Sequence, residues 1–304
     1  MKHNFIFSHV LAVCLAVSLG VSSCSSQKGT ATEADASQTS ASRLDRFAFN
    51  ENHDNQRAGI NCWAERSYDG QVSIMFSVTE DYAREEQRID NVSGGNSLMK
   101  ELRKLWFNAG VSSWSDSTNT AAWDGEWSVS LKQNATEEIA KTGKGLGPND
   151  LAELAAETRR IFESCIAQNM ASLPKDKLTA FSYQISNGFA NSSERFEAEV
   201  QSTGKIKLIH SLQTGESKSM REGSIKTNGP CIMEDLKDLI NRKDAVQWKT
   251  RYDMLNVFDG SSWSLNFAFG TTSFSSSGYM HGPKNYSEFV EEMTRIFEHW
   301  MEDK

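Results

Sequence analysis

Past residue 21 the sequence has no second long apolar run, so no later segment reads as a membrane-spanning helix. Metal and cofactor motifs are missing as well. There is no H-E-x-x-H, no EF-hand loop and no glycine-rich loop ending in G-K-[ST], and His53, His281 and His299 share no ligand-like spacing with one another or with a cysteine. No metal and no cofactor is therefore expected. Basic charge is in deficit: 32 Lys and Arg stand against 40 Asp and Glu, and no basic cluster interleaves with aromatics. That balance excludes a nucleic-acid partner and favours solubility.

What is present begins at the N-terminus. Lys2 precedes an apolar stretch from Phe5 to Val21, broken only by Ser8, His9 and Ser18, which has the shape of an export signal. The stretch ends in Val21-Ser22-Ser23-Cys24. This resembles the lipobox of bacterial lipoproteins, an aliphatic residue and two small ones ahead of an acceptor cysteine. The resemblance implies a signal peptide over 1–23, its removal, and lipidation of the Cys24 sulfur and of the new amino group, several chains together giving a stable anchor. The competing reading is an uncleaved N-terminal membrane helix, for which the stretch is short. Removal would take away Lys2 and leave the mature chain one charge more negative than the formal −8 of the whole. Residues 24–43 hold almost only Ser, Thr, Ala, Gly, charged and amide side chains, with nothing to bury, and read as a flexible tether. The expected location is the cell envelope, most simply the outer membrane facing the periplasm, with the membrane as a partner through the lipid.

The remainder aligns with itself. At an offset of 134 residues Leu44 meets Leu178 and Phe47 meets Phe181, and the register holds to Trp114 and Trp248. It becomes 135 at Asp124-Gly125 against Asp259-Gly260, and 136 where Trp127 meets Trp263. Back at 135, Gly143-x-x-x-Gly147-Pro148 falls on Gly278-x-x-x-Gly282-Pro283. Two units are expected, 44–170 and 178–304, joined by a linker over 171–177, each long enough for its own core.

Both units show period-two alternation, Val72-Ile74-Phe76-Val78 and Ile206-Leu208-His210-Leu212, which marks a strand with one buried face. Asp69-Gly70 and Thr203-Gly204 close the preceding hairpins. Leu98, Met99, Leu102 and Leu105 match Ile232, Met233, Leu236 and Leu239 at helical spacing, with Pro230 at a permitted first position. The last helix of each unit opens on a capping-box sequence, Asp150-x-x-Glu153 and Asn285-x-x-Glu288. The expected fold is α+β: two tandem repeats, each an antiparallel sheet of about five strands with two helices on one face, in the order βββαββα. The Asp-Gly-x-(x)-Trp strand followed by Gly-Pro and an amphipathic helix resembles a pattern in secreted proteins and lipoproteins of Bacteroidetes-type bacteria, and that resemblance implies no activity.

Candidate sites meet bland alternatives. Ser97-x-x-Lys100, Ser117-x-Asn119 and Lys141-Thr142-Gly143 reproduce in order the three motifs of serine β-lactamases and penicillin-binding proteins, but at intervals far too short for that fold. Gly143, Gly145 and Gly147 beside Lys141 and Lys144 have the look of an anion cradle, yet turn chemistry accounts for them. Cys62 and Cys165 align with Phe196 and Trp300 and read as buried hydrophobes; a Cys62 to Cys165 disulfide is a second option in an oxidising compartment. Cys231 stands near a helix start, where a thiol is activated, but lacks a basic neighbour. Trp114, Trp127, Trp248 and Trp263 repeat and so read as packing, whereas Trp63 and Trp123 do not. Trp63, on the face opposite Cys62, is a candidate for an exposed recognition surface or for burial against the other unit. No catalytic set is expected. The reading is a binding or scaffold protein with an envelope protein or polymer as partner; the alternatives are an inhibitor or sensor of an envelope hydrolase, or an enzyme of unrecognised type.

Overall fold

A computed structural model of the chain describes residues 43–53, 56–118, 125–134, 136–145, 147, 148, 150–226 and 231–302. The signal segment, Cys24, nearly all of the tether, Asn119, Trp123 and Pro230 lie outside the described residues. In chain order the elements are β1 (Leu44–His53), β2 (Ala58–Arg66), β3 (Val72–Glu80), β4 (Ala83–Ile89), α1 (Gly95–Asn108), β5 (Ser117–Thr118), β6 (Glu126–Gln133), β7 (Glu137–Lys144) and α2 (Leu151–Asn169). They continue as β8 (Leu178–Asn187), β9 (Ser192–Val200), β10 (Lys205–Thr214), β11 (Ser217–Lys226), α3 (Ile232–Arg242), β12 (Arg251–Met254), β13 (Ser261–Phe269), β14 (Thr272–Tyr279) and α4 (Tyr286–Glu302). The fold is mixed α+β, and all fourteen strands belong to one sheet in the order β11-β10-β9-β8-β13-β14-β12-β4-β3-β2-β1-β6-β7-β5.

Three expectations need correction. Each half contributes seven strands instead of about five, because β4 and β7 in the first and β11 and β14 in the second were not foreseen, and the strand expected directly after the first helix of each half is only the short β5 or β12. β4 reads Ala-Arg-Glu-Glu-Gln-Arg-Ile and has no apolar alternation. It forms because Asp81 and Tyr82, both with positive φ, make the two-residue turn that returns the chain alongside β3. The sheet is not purely antiparallel, since β5 runs parallel to β7 and β12 parallel to β14. Nor are there two sheets, because β12 pairs antiparallel with β4 and joins the halves.

Alternation sets the layers. Phe47 and Phe49 of β1, Cys62 and Ala64 of β2, and Ile74 and Phe76 of β3 are buried beneath α1 and α2, while the residues between them face away. In the second half Phe181, Tyr183, Phe196, Ala198 and Leu208 lie beneath α3 and α4 in a separate core. The two cores present the same side of the sheet. The row Trp263, Gly278, Tyr252, Glu85, Val78 crosses the join from one buried face to the other, so all four helices stand on one face. Aromatic rings fill both interiors. Phe162 of α2 stacks on Phe76 at 5.8 Å, and Phe297 of α4 lies 5.2 Å from Phe196. The indole of Trp106 donates to Thr158 Oγ1 at 3.0 Å, which satisfies two buried polar groups at once.

The helix starts differ from expectation in one respect. Neither capping box forms. Asp150 has φ −95° and ψ 0° and accepts no cap hydrogen bond from its side chain, since a side-chain cap requires an extended residue. Asn285 instead donates its amide to the Lys243 carbonyl at 2.7 Å, and Glu288 pairs with the Lys243 amine at 2.8 Å, tying α4 to the end of α3. Among the described residues no helix is long and apolar enough to cross a membrane.

Candidate binding face

The side of the sheet away from the helices is built by the other half of each strand's alternation. One row along it runs from Gln184 through Ser264, Ser277 and Arg251 to Glu86. It continues through Ser77, Asn61, Asn50, Ser128 and Thr142. Ten strands at a spacing of about 4.8 Å make this a polar track of roughly 43 Å. Most of its side chains are hydroxyls or amides, with Arg251 and Glu86 side by side at its middle. A trough of about 420 Å³ lies over Ala180, Ser182, Asn266, Ala268, Ser273 and Ser275, walled by Glu197, Glu199, Lys207 and Ile209. A second, of about 320 Å³, lies by Asn50, Ser128 and Thr142, with Asp116, Glu126 and Lys144 at its rim.

Trp63 belongs to this face. It is half-buried, paired in register with Ala48 on one side and Met75 on the other, and the Arg88 guanidinium carbon lies 5.7 Å from its ring centre. A cation over an indole is a favourable contact, and it holds the ring against the sheet with one edge toward solvent.

The helix side has two clefts near the join, of about 420 and 410 Å³. The second gathers Glu80, Glu85, Arg159 and Glu163 from the first half and Lys249 from the second. Arg159 pairs with Glu163 at 2.7 Å and with Glu80 at 3.9 Å through partly or fully exposed side chains, an arrangement that solvent screens. The cleft brings no nucleophile beside a base.

The other candidates resolve as structure. Ser97 and Lys100 are exposed on α1, Ser117 is on β5, and Lys141 to Gly143 are on β7, so the three motifs sit on three separate elements. Gly143 is a strand residue whose missing side chain admits the Trp127 indole, since a Cβ there would meet the ring at 2.5 Å. Gly145 and Gly147 supply positive φ. Trp114 meets Trp127 edge to face at 5.9 Å, and Trp248 meets Trp263 the same way at 6.1 Å. His210 is satisfied by Glu194 at 2.8 Å and stacks on Phe196 at 4.4 Å.

The considered Cys62 to Cys165 disulfide is not formed; both thiols are free and buried, as is Cys231. Cys62 sits in the sheet between Phe49 and Phe76, and Phe162 of α2 closes over Phe76 and Phe47, so aromatic rings occupy the space beside it. Burial pushes the Cys62 thiol up, which keeps it protonated and inert.

One ionisable pair escaped the sequence reading. Glu51 and His53 continue the inward row of Phe47 and Phe49, and their side chains approach to 3.3 Å. Burial raises the Glu51 carboxyl above its ordinary value, against the opposing attraction of His53. The signal was there in the alternation, two and four residues beyond Phe49 on the same row. Neither the troughs nor the clefts include this pair. Among the described residues no group of three or more His, Cys, Asp or Glu is placed to hold a metal ion. No family model matches the sequence, and no curated protein is detectably similar to it.

Proposed function

We propose that this chain is a lipid-anchored binding or scaffold protein of the bacterial cell envelope, attached through Cys24, whose folded part is one α+β unit used twice. The two-copy reading is supported by strand order. The first half is ordered β4-β3-β2-β1-β6-β7-β5 and the second β11-β10-β9-β8-β13-β14-β12, each strand number seven higher at every place. The binding reading rests on one observation: all four helices cover the same face, and among the described residues nothing covers the polar track on the other, with Trp63 and the small-residue troughs upon it. A broad face of mostly hydroxyl and amide side chains suits an extended protein or polymer better than a small substrate, which needs a concave and mostly enclosed pocket.

Two measurements test this. Labelled palmitate is expected to enter the protein in the producing cell and to be lost with Cys24→Ser. Capture from detergent-solubilised envelopes is expected to recover a stoichiometric partner or polymer. Glu197→Lys with Glu199→Lys, or Trp63→Ala, should lower that recovery about tenfold, the scale of losing one aromatic or charged anchor. Equal recovery by parent and variants removes the face from the proposal; absence of the label removes the anchor.

A further inference from the structure

The join between the halves is a contact between two unlike edges. β12 lies against β4, with Tyr252 opposite Glu85 and Asp253 opposite Arg84. The Arg84 guanidinium donates to the buried Asp253 carboxylate, which Arg251 also holds at 2.7 Å. Strand order then leaves one edge of each kind at the ends of the molecule. β11, the counterpart of β4, stands at one end, and β5, the counterpart of β12, at the other. A head-to-tail contact of this type does not close on itself, so the pairing rule that joins the halves can also join molecules.

We propose that β11 is the acceptor edge for a second copy of this chain, whose β5 docks there as β12 docks on β4. β11 is ten residues long and, among the described residues, pairs with β10 on one side only, so it offers a row of backbone donors and acceptors on the other. Charge is complementary: β11 carries Lys218, Arg221 and Lys226 against Glu222, while Asp116 stands directly before β5, which has no basic residue. The outer contact is weaker than the internal one because its ion pair is incomplete. Strand pairing places Lys218 where Arg84 stands and Thr118 where Asp253 stands. The inference uses the two-copy reading but not the binding role, and its readout needs no partner.

Register supplies the test. The Leu255 N–H bonds the Tyr82 carbonyl, so by alternation Tyr252 and Glu85 form a non-hydrogen-bonded pair, the closer kind and the one that accepts a disulfide. Their counterparts at the outer edges are Ser117 and Ser219. Under mild oxidation the purified full-length double variant Ser117→Cys/Ser219→Cys is expected to give a ladder of dimer, trimer and higher products on a non-reducing gel. An equal mixture of the two single variants is expected to give dimer alone, and either single variant only the background of the parent, whose Cys62, Cys165 and Cys231 are buried, with Cys14 and Cys24 replaced by Ser in every protein compared. Adding Thr118→Asp, which sets an acid opposite Lys218, is expected to raise the cross-linked fraction about threefold. The proposal is overturned if folded double variant and mixture stay at background, if Ser219→Cys alone dimerises, or if Thr118→Asp leaves the fraction unchanged or lower.

Discussion

At the scale of the residue, the polar groups that depart from the apolar pattern carry their own pH dependence. Glu51 sits where the alternation of β1 calls for an apolar side chain, and burial raises its carboxyl above the ordinary 4.5. A carboxyl raised in the folded state binds protons more tightly there than in the unfolded chain. Its contribution is therefore most favourable below pH 4.5 and is lost as pH rises through the raised value. Glu51→Gln removes that dependence. The variant is expected to melt above the parent at pH 7 and to converge with it below pH 4.5, as read by thermal unfolding in a series of buffers. Should the parent be the more stable at pH 7, attraction to His53 outweighs burial and the order of causes is reversed.

At the scale of the element, the glycines before the last helix of each half show what a repeated residue is for. Gly143 and Gly278 lie in β7 and β14 against the indoles of Trp127 and Trp263. Gly143→Ala forces a Cβ to within 2.5 Å of the Trp127 ring, and overpacking of this kind costs about 1–3 kcal/mol. Gly188→Ala, where a Cβ meets nothing within 4 Å, is the control and is expected to change stability little. Denaturant midpoints decide, and equal effects at the two sites would mean the indole yields freely. The same elements mark how far the sequence could be read. The rows of β3 and β10, the two amphipathic helices of each half and the tryptophan pairs were legible because burial enforces a period. β4 and β11 were not, because a strand that is polar or exposed on both faces owes its existence to its neighbours' backbones and leaves no period to see. The capping boxes were legible and did not form, since Asn285 and Glu288 meet Lys243 instead. Of the binding face, only Trp63 stood out in the sequence; the troughs arise from Ser, Ala and Asn on strands far apart in the chain.

At the scale of the whole molecule, the alignment of the chain with itself did not tell that all the described strands share one sheet, because docking is written in few residues. The join centres on four paired positions and an ion pair, Arg84 with Asp253, the acid buried and Arg251 beside it, with the Leu255 N–H on the Tyr82 carbonyl at one end and the Arg88 N–H on Thr250 Oγ1 at the other. Breaking a buried pair from one side leaves a charge without compensation, whereas replacing both partners by apolar groups is often neutral. Arg84→Ala is expected to cost about 2 kcal/mol, the lower end of such losses because Arg251 remains. Arg251→Ala, whose side chain is 54% exposed, is expected to cost less than about 1 kcal/mol. Arg84→Met with Asp253→Leu should recover most of the loss. Urea unfolding followed by tryptophan fluorescence and by far-ultraviolet dichroism reads all three, and it also reads cooperativity. With the ion pair gone, a short backbone ladder and a few exposed polar contacts such as Arg88 N–H to Thr250 Oγ1 couple the two separate cores, so the two signals are expected to part in Arg84→Ala and to rejoin in the apolar double variant. If they coincide in every variant with unchanged midpoints, the ladder and those contacts couple the halves and the ion pair selects which edges meet without holding them together.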